Sequence, residues 1–559
     1  MKQLLKSQDG FAALIAMLLI GMLTLLGIVA LSTSEDEMNI AGNQMREVRA
    51  FYAAEAGLEQ AAAQLQEEYT RTGLPPLVMP EGTDSLNGCI VSYTTVFDAS
   101  GSGQRVLTSG TLEGLHASVA SFRVTDTAVH VDDRSRVAMA QSFETALVPI
   151  FQFAIFYDTE LEIAPGPLMN LLGRVHTNGD LYIQATSNLN IDSYMTAAGE
   201  IFHGRKPGCP KSSKNGDVDI KDPNGDYISM RDGGGWLDAG DGHWYDSSGS
   251  RWGGRVQDSH HGQEELKVPL NGSEDDPHKL IEPGDGNPDS YELKSTLKII
   301  NDTAWIAIDT SWVDITDTLI DRGVLSISPN KFWDARQEEW VDVYDLCLER
   351  MYDSTFTPTA TGVAQSFEPI NGVIYFSSDD TATNYPALRL WGADELDTGL
   401  TVVSHNPMYT WGDYNSVDKK PAALMADAIT FLSNQFDDNK SSWSLNSRNL
   451  PIATTVNTSF LTGNTVTNNI DYNGGFENLP RFLEKWTNVD FNWLGSAVNL
   501  WQSRQADEEW GKSDVYKAPD RNWFYDSDLD DPVNMPPEAP VVRIFQRTGW
   551  IQEYVGYDN

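Results

Sequence analysis

The stretch GFAALIAMLLIGMLTLLGIVALSTSEDEMNIAGNQMREVRAFYAAEAGLEQA, Gly10 to Ala61, decides the reading of this chain. Its first part, Phe11 to Leu31, carries no charged residue and is long enough to cross a hydrocarbon core, for which about 20 residues suffice. The second part is amphipathic. Met38, Ala41, Met45, Val48, Phe51, Tyr52 and Ala56 recur at three- and four-residue steps, the period of one helix face. The first proline is Pro75, so nothing interrupts the pattern. The sequence predicts one long helix, half apolar on every side and half amphipathic. Lys2 and Lys6 precede it.

Three readings fit such a segment. A secretory signal peptide has a shorter apolar region followed by a small-x-small cleavage site. A signal anchor needs only the apolar run and its basic flank. The third is a short leader that ends in glycine and is cut off, leaving the apolar helix at the new N-terminus. Glycine before an aromatic residue (Gly10, Phe11), the acidic patch Thr33 to Glu37, the step Ala41-Gly42-Asn43 and the close Phe51 to Leu58 come in order. In these features the segment resembles the N-terminal domain of PilX-type minor type IV pilins. The resemblance implies cleavage after Gly10 by a prepilin peptidase and methylation of the Phe11 amine. It also implies single-pass insertion in the inner membrane, and later packing against other pilins in a filament on the cell surface. One position departs from the pattern. Ile15 stands where major pilins carry a glutamate that neutralises a neighbour's terminal amine in an apolar filament core, where an unpaired charge is costly. A subunit lacking that carboxylate fits a filament tip or an initiating complex. The large minor pseudopilin GspK of type II secretion is similar in both size and this substitution. Asp9 also departs, since the leader is usually basic up to its glycine.

Beyond the helix, composition sets bounds. The chain has 559 residues, more than one ordinary domain uses, so most of it is carried by the helix. A net charge of −41 repels phosphates and argues against nucleic acid as a partner. Hydrophobic residues at 40% and aromatics at 10% set it apart from a disordered acidic chain. Three cysteines, Cys89, Cys209 and Cys347, allow one disulfide or three separate thiols, and their spacing matches no metal site.

The expected fold class is α+β, mainly β. Residues 1–10 are the leader, 11–72 the membrane and filament-core helix, 73–145 a small antiparallel pilin-like sheet, and 146–559 a large β-rich ectodomain. Within the ectodomain, short strands recur between turn signals from Phe151 to Phe202 and again from Ile370, which suits either a β-solenoid or a sandwich. Residues 204–293 are dense in Asp and Gly and read as a long surface insertion. Residues 294–317 alternate as a strand pair, and Val341 to Tyr352 reads as a short helix. The strings GRVHTNGDLY, HNPMYTWGDYN and NNIDYNGGFENLPRFLEKW resemble the large ectodomains carried by PilX-type N-termini, which adds architecture but no activity.

Chemistry-bearing patterns are few. Asp222, Asn224 and Asp226 place oxygen ligands at alternate positions, as a Ca²⁺ loop begins, but the loop glycine is misplaced and Gly233 occupies the position of the bidentate glutamate. Turn-forming Asp and Asn explain the same string. His243, His260, His261 and His278 share the acidic segment, where a Zn²⁺ or Cu²⁺ site is conceivable, but without zinc-site spacing they read as surface histidines, and His176 suits a turn-fixing hydrogen bond. Glu477 and Glu484 read as solvated charges on a helix with an apolar face. No G-x-S-x-G nucleophile and no phosphate loop occurs. Trp236, Trp244, Trp252, Trp411, Trp510 and Trp523 stand among polar residues, where they suit a glycan- or surface-binding face or edge packing in a β protein. The expectation is a non-enzymatic minor pilin acting in pilus assembly or initiation, with surface adhesion as a possible second role. A type II secretion pseudopilin and a membrane-anchored surface enzyme or carbohydrate-binding protein are the alternatives.

Overall fold

The computed structural model describes residues 4–72, 74–131, 136–271, 275–357, 364–379, 385–468 and 472–553. The first helix, α1, runs unbroken over Leu4–Thr72 and stops just before Leu74-Pro75-Pro76, where proline removes the backbone donors. Its second half packs on an antiparallel sheet of β1 (Glu81–Leu86), β2 (Cys89–Val106), β3 (His116–His130) and β4 (Arg136–Pro149). The buried face of the helix is Ala50, Ala53, Ala54, Leu58, Ala61, Ala62, Leu65 and Tyr69, at three- and four-residue spacing. It meets Val91, Tyr93, Phe122, Val124, Met139 and Phe143 from the sheet. Small side chains let the helix axis come close to the strands. Leu58 and Leu65 are the large anchors, each stabilising the contact by about 2 kcal/mol through burial.

The ectodomain is a solenoid. Strands Val373–Ser377, Leu400–Ser404, Ala422–Ala426, Ser459–Thr462 and Ala497–Asn499 pair in parallel, coil on coil. The same wall continues in parallel through Phe153–Tyr157, Arg174–Thr177, Met195–Ala197 and Val256–Gln257. A second, mainly parallel wall holds Glu339–Cys347, Tyr385–Glu395, Met408–Val417, Thr454–Asn457, Asp490–Gly495 and Asp520–Tyr525. Strands of a sandwich pair mostly antiparallel, so parallel stacking decides between the two architectures expected from sequence. Inward-facing Ile155, Val175, Leu181, Ile374, Val402, Leu424 and Phe460 form one continuous core.

The winding is not sequential from end to end. The chain enters at Ile150, in the middle, and winds outward to Gln257. It then travels along the outside and winds back from Leu297 until Ala497–Asn499 lies against Phe153–Tyr157. The amide of Ile150 donates to Pro540 O at 2.9 Å, so entry and exit touch. The last strand, Val541–Glu553, then pairs with β4 and completes the small sheet.

Several segments differ from their sequence reading. Residues 204–293 are no loose surface insertion. Asp217–Lys221 and Val256–Gln257 are coil strands, and Trp244–Trp252 is a helix with both tryptophans buried. Residues 264–271 and 275–293 form a strap whose Leu266, Val268, Leu270, Leu280, Ile281 and Tyr291 cover the outer face of the first wall, against Val373, Tyr375, Val403 and Met425. Sparse apolar residues among many acids hid this role. The expected strand pair is a three-strand antiparallel meander, Leu297–Ile300, Thr303–Ile308 and Ser311–Asp314. The expected helix 341–352 is mostly strand, with a helix only at Leu348–Tyr352, because buried coil pairing overrides its helical period. No disulfide joins Cys89, Cys209 and Cys347.

Candidate functional site: the projecting helix

Helix α1 is divided in two. From Phe11 to Leu31 every large apolar side chain is exposed, and Met38, Ile40, Met45 and Val48 remain so. From Ala50 onward one face is buried against the sheet. In the projecting half, the Thr24 hydroxyl donates to Ile20 O at 2.6 Å and that of Thr33 to Val29 O at 2.9 Å. These bonds satisfy the hydroxyls within the helix itself, as an apolar surround requires. Among the described residues α1 is the one helix long and apolar enough, by length and composition, to cross a membrane.

The docked half is clamped at several points. Tyr69 Oη donates to Ala146 O at 2.8 Å, and Gln64 Nε2 donates to Tyr93 Oη at 3.2 Å. From the C-terminal strand, Arg547 makes a two-point ion pair with Glu59, and Arg543 donates to Thr70 O. Phe51 meets Trp550 edge to face, with ring centroids 6.4 Å apart. The close of the helix thus fixes the direction in which the apolar half projects.

One feature of this contact was not legible as a site. Gly57 sits directly over Asp126 of β3, where a Cβ would meet Asp126 Oδ2 at 2.0 Å and Val91 Cγ1 at 2.7 Å. Asp126 is 1% exposed, and among the described residues neither carboxylate oxygen has a hydrogen-bond partner. Burial pushes its carboxyl up to about 7. The glycine within the alanine-rich close was the only signal in the sequence.

The positions singled out from sequence fall in separate places. Gly10, Phe11 and Ile15 all lie on the projecting half of α1, Ile15 at 42% exposure. Asp222, Asn224 and Asp226 form the turn of the hairpin between Asp217–Lys221 and Tyr227–Ser229. There Asp222 Oδ1 accepts the amides of Asn224 and Asp226, each at 2.9 Å, and Oδ2 accepts Asn224 Nδ2 at 2.9 Å. The Asp226 N–H foremost holds the Asp222 carboxyl below its ordinary range. These are turn bonds, and they engage both oxygens of Asp222. Among the described residues no group of three or more His, Cys, Asp or Glu side chains is placed to hold a metal.

His176, His261, His278, Glu477 and Glu484 all make polar contacts within the fold. His176 is buried, with Nδ1 2.8 Å from Thr196 Oγ1 and Nε2 3.0 Å from Asn178 Oδ1, and burial pushes it down to about 4. His278 is not a surface residue. It is buried in the strap, 2.9 Å from Glu282 and 3.5 Å from Asp427. His261 caps the turn Ser259–His261 together with Asp258. Glu477 and Glu484 are not solvated helix charges. Their segment is a 3₁₀ turn and loop, and both carboxylates are buried. Glu477 accepts the Ala164 amide at 2.6 Å. Glu484 accepts the Ser433 amide and hydroxyl, both at 2.7 Å, and burial pushes it up to about 7. Trp244, Trp252 and Trp523 are buried and Trp236, Trp411 and Trp510 half-buried, so these six form no exposed aromatic face.

Comparisons with known proteins bear on the same helix. Residues 10–59 match the family model described as PilX N-terminal. Among solved structures the chain is similar to the competence-associated pilin ComZ from Thermus thermophilus, at 13% identity. The match covers 91% of this chain and 97% of that one, with a TM-score of 0.28, too low to argue from the superposition. No curated protein matches the chain. The match takes in the projecting half of α1 from Gly10 and the start of its docked half, so this segment is similar to the N-terminal domain of the PilX family.

Proposed function

We propose that this chain is a minor type IV pilin, held in the inner membrane by α1 and then incorporated at or near the tip of a filament, where it helps initiate assembly. One observation carries the reading: the apolar half of α1 stands clear of the protein, while its amphipathic half is clamped to a sheet. An exposed, uncharged helix of this length needs lipid or other apolar helices around it. Ile15 supports a tip position, since it offers no carboxylate to an adjacent subunit's amine. The bulk of the solenoid supports it too, because such a mass crowds a repeating lattice. The role of the helix is packing, and the solenoid is displayed at the cell surface, where it is free to act in recognition.

In this reading Gly10 is the last leader residue and Phe11 the mature N-terminus. Intact mass and N-terminal sequencing, with and without a co-expressed prepilin peptidase, test it. The expected product begins at Phe11 and carries one added methyl group. An uncut chain beginning at Met1 would leave only a membrane-anchored ectodomain and sink the filament reading.

A further inference from the structure

The strap and the wall beneath it meet through a histidine. His278, in the 3₁₀ turn Pro277–Leu280, is 1% exposed. Its Nδ1 lies 2.9 Å from Glu282 Oε1, within the strap. Its Nε2 lies 3.5 Å from Oδ1 of Asp427, a buried residue that follows the wall strand Ala422–Ala426. This second contact is an ion-pair distance and not yet a hydrogen bond, and among the described residues Nε2 has no other partner. Trp501 and His405 meet the ring edge to face, with centroids 5.5 and 6.0 Å away.

The charged neighbours come from three elements. The strap supplies Asp276, Lys279 and Glu282, the wall supplies Asp427 and His405, and the loop 503–508 supplies Arg504. Lys279 Nζ donates to Glu282 Oε2 at 2.8 Å. Arg504 donates to Glu282 Oε1 at 2.5 Å and to Asp276 Oδ2 at 2.7 Å. Asp427 accepts the amides of Arg504, Gln505 and Ala506 and feels the charge of Arg481. Burial raises the Glu282 and Asp427 carboxyls, yet both are held below their ordinary range. Lys279 and the His278 ring do this for Glu282, and the His278 ring with the loop amides for Asp427. Burial and then His278 push the His405 ring down, while Glu282, Asp427 and Asp379 oppose them.

A neutral imidazole has one N–H and can donate to one carboxylate only. With that proton on Nδ1, Nε2 turns a lone pair towards the buried Asp427 carboxylate, and the two repel. With a second proton, each nitrogen donates to its own carboxylate. We propose that His278 is a proton-operated clasp, whose imidazolium joins Glu282 of the strap to Asp427 of the wall, and that loss of the Nε2 proton loosens the strap over residues 275–293. Loosening bares the apolar outer face of the wall at Val373, Tyr375, Val403 and Met425. The sign follows from linkage. The closed clasp holds a proton that the open strap gives up to water, so raising the pH opens it. Glu282 and Asp427, held low, keep their charges in acid down to below about pH 4, so the clasp stays shut on that side.

The test is hydrogen exchange of the full chain in detergent between about pH 5 and pH 9, corrected for the intrinsic pH dependence of exchange. Peptides from 275–293 should lose protection by about tenfold as the pH rises, while the second-wall strand Tyr385–Glu395 keeps its own. His278→Gln retains a donor for Glu282 but not the charge, and should make the protection of the strap indifferent to pH. His405→Gln should leave the pH dependence in place. Glu282→Gln should move the loss to lower pH, because one of the two carboxylates that hold the proton is gone. Equal protection of the wild-type strap across the range, or the same loss in His278→Gln, would overturn the proposal. Should His278→Gln fail to fold, Glu282→Gln decides, and a loss at the wild-type pH overturns it.

Discussion

At the scale of the residue, the contact of Gly57 with Asp126 sets the most specific expectations. Burial pushes the Asp126 carboxyl up to about 7, against an ordinary value of 3.8. An acid raised in this way favours its neutral form. Its contribution is therefore intact below about pH 4, declines as pH rises towards about 7, and is lost above that, by up to about 4 kcal/mol. Asp126→Asn should stabilise the small sheet at pH 8 by about 1–3 kcal/mol and change little at pH 4. Chemical denaturation at the two values checks this. Gly57→Ala would ordinarily help a helix by about 1 kcal/mol. Here its Cβ would collide with the carboxylate and with Val91, so a net loss of about 1–3 kcal/mol is expected. Adding Asp126→Ala should recover part of that loss. A Gly57→Ala protein as stable as wild type would show that the contact is looser than it stands.

At the scale of the element, the small sheet is closed by a strand that arrives from the other end of the chain. Val541–Glu553 covers the edge of β4, and its Arg547 holds Glu59 of the helix. Truncation after Pro540 should bare that edge and loosen the docked half of α1. Hydrogen exchange should then show residues 50–69 losing protection at least about tenfold, with the coil strands 373–499 unchanged. Equal protection with and without the strand would mean that the alanine face alone secures the helix. The strap shows the same principle on the solenoid. Its six apolar residues seal the outside of a wall whose outward faces would otherwise be wet.

At the scale of the whole molecule, the entry and exit of the solenoid touch through Ile150 and Pro540. A fragment of residues 150–540 should therefore fold alone, with the β-sheet circular dichroism of the full chain and one cooperative unfolding transition. A fragment that unfolds in two separate steps would show that the outward-wound and inward-wound coils are independent, despite the pairing of Phe153–Tyr157 with Ala497–Asn499. The small sheet and helix then act as a mount, fixed to the solenoid where the chain enters and leaves it.

The sequence by itself determined the helix, its division into apolar and amphipathic halves, its stop before Pro75 and the antiparallel sheet after it. These features arise from local period and from turn chemistry, which a short window of residues carries. It also determined the kinship of residues 10–59 and the β-rich character of the ectodomain. Tertiary structure alone decided that the strands stack in parallel, that the coils begin in the middle, and that residues 541–553 return to the first sheet. Pairing between residues hundreds of positions apart leaves no local pattern. For the same reason the strap read as an insertion and Glu477 and Glu484 as solvated. Burial is set by what the rest of the chain lays over a residue, and so Asp126, an ordinary charge in the sequence, becomes a buried carboxyl only once the chain has folded around it.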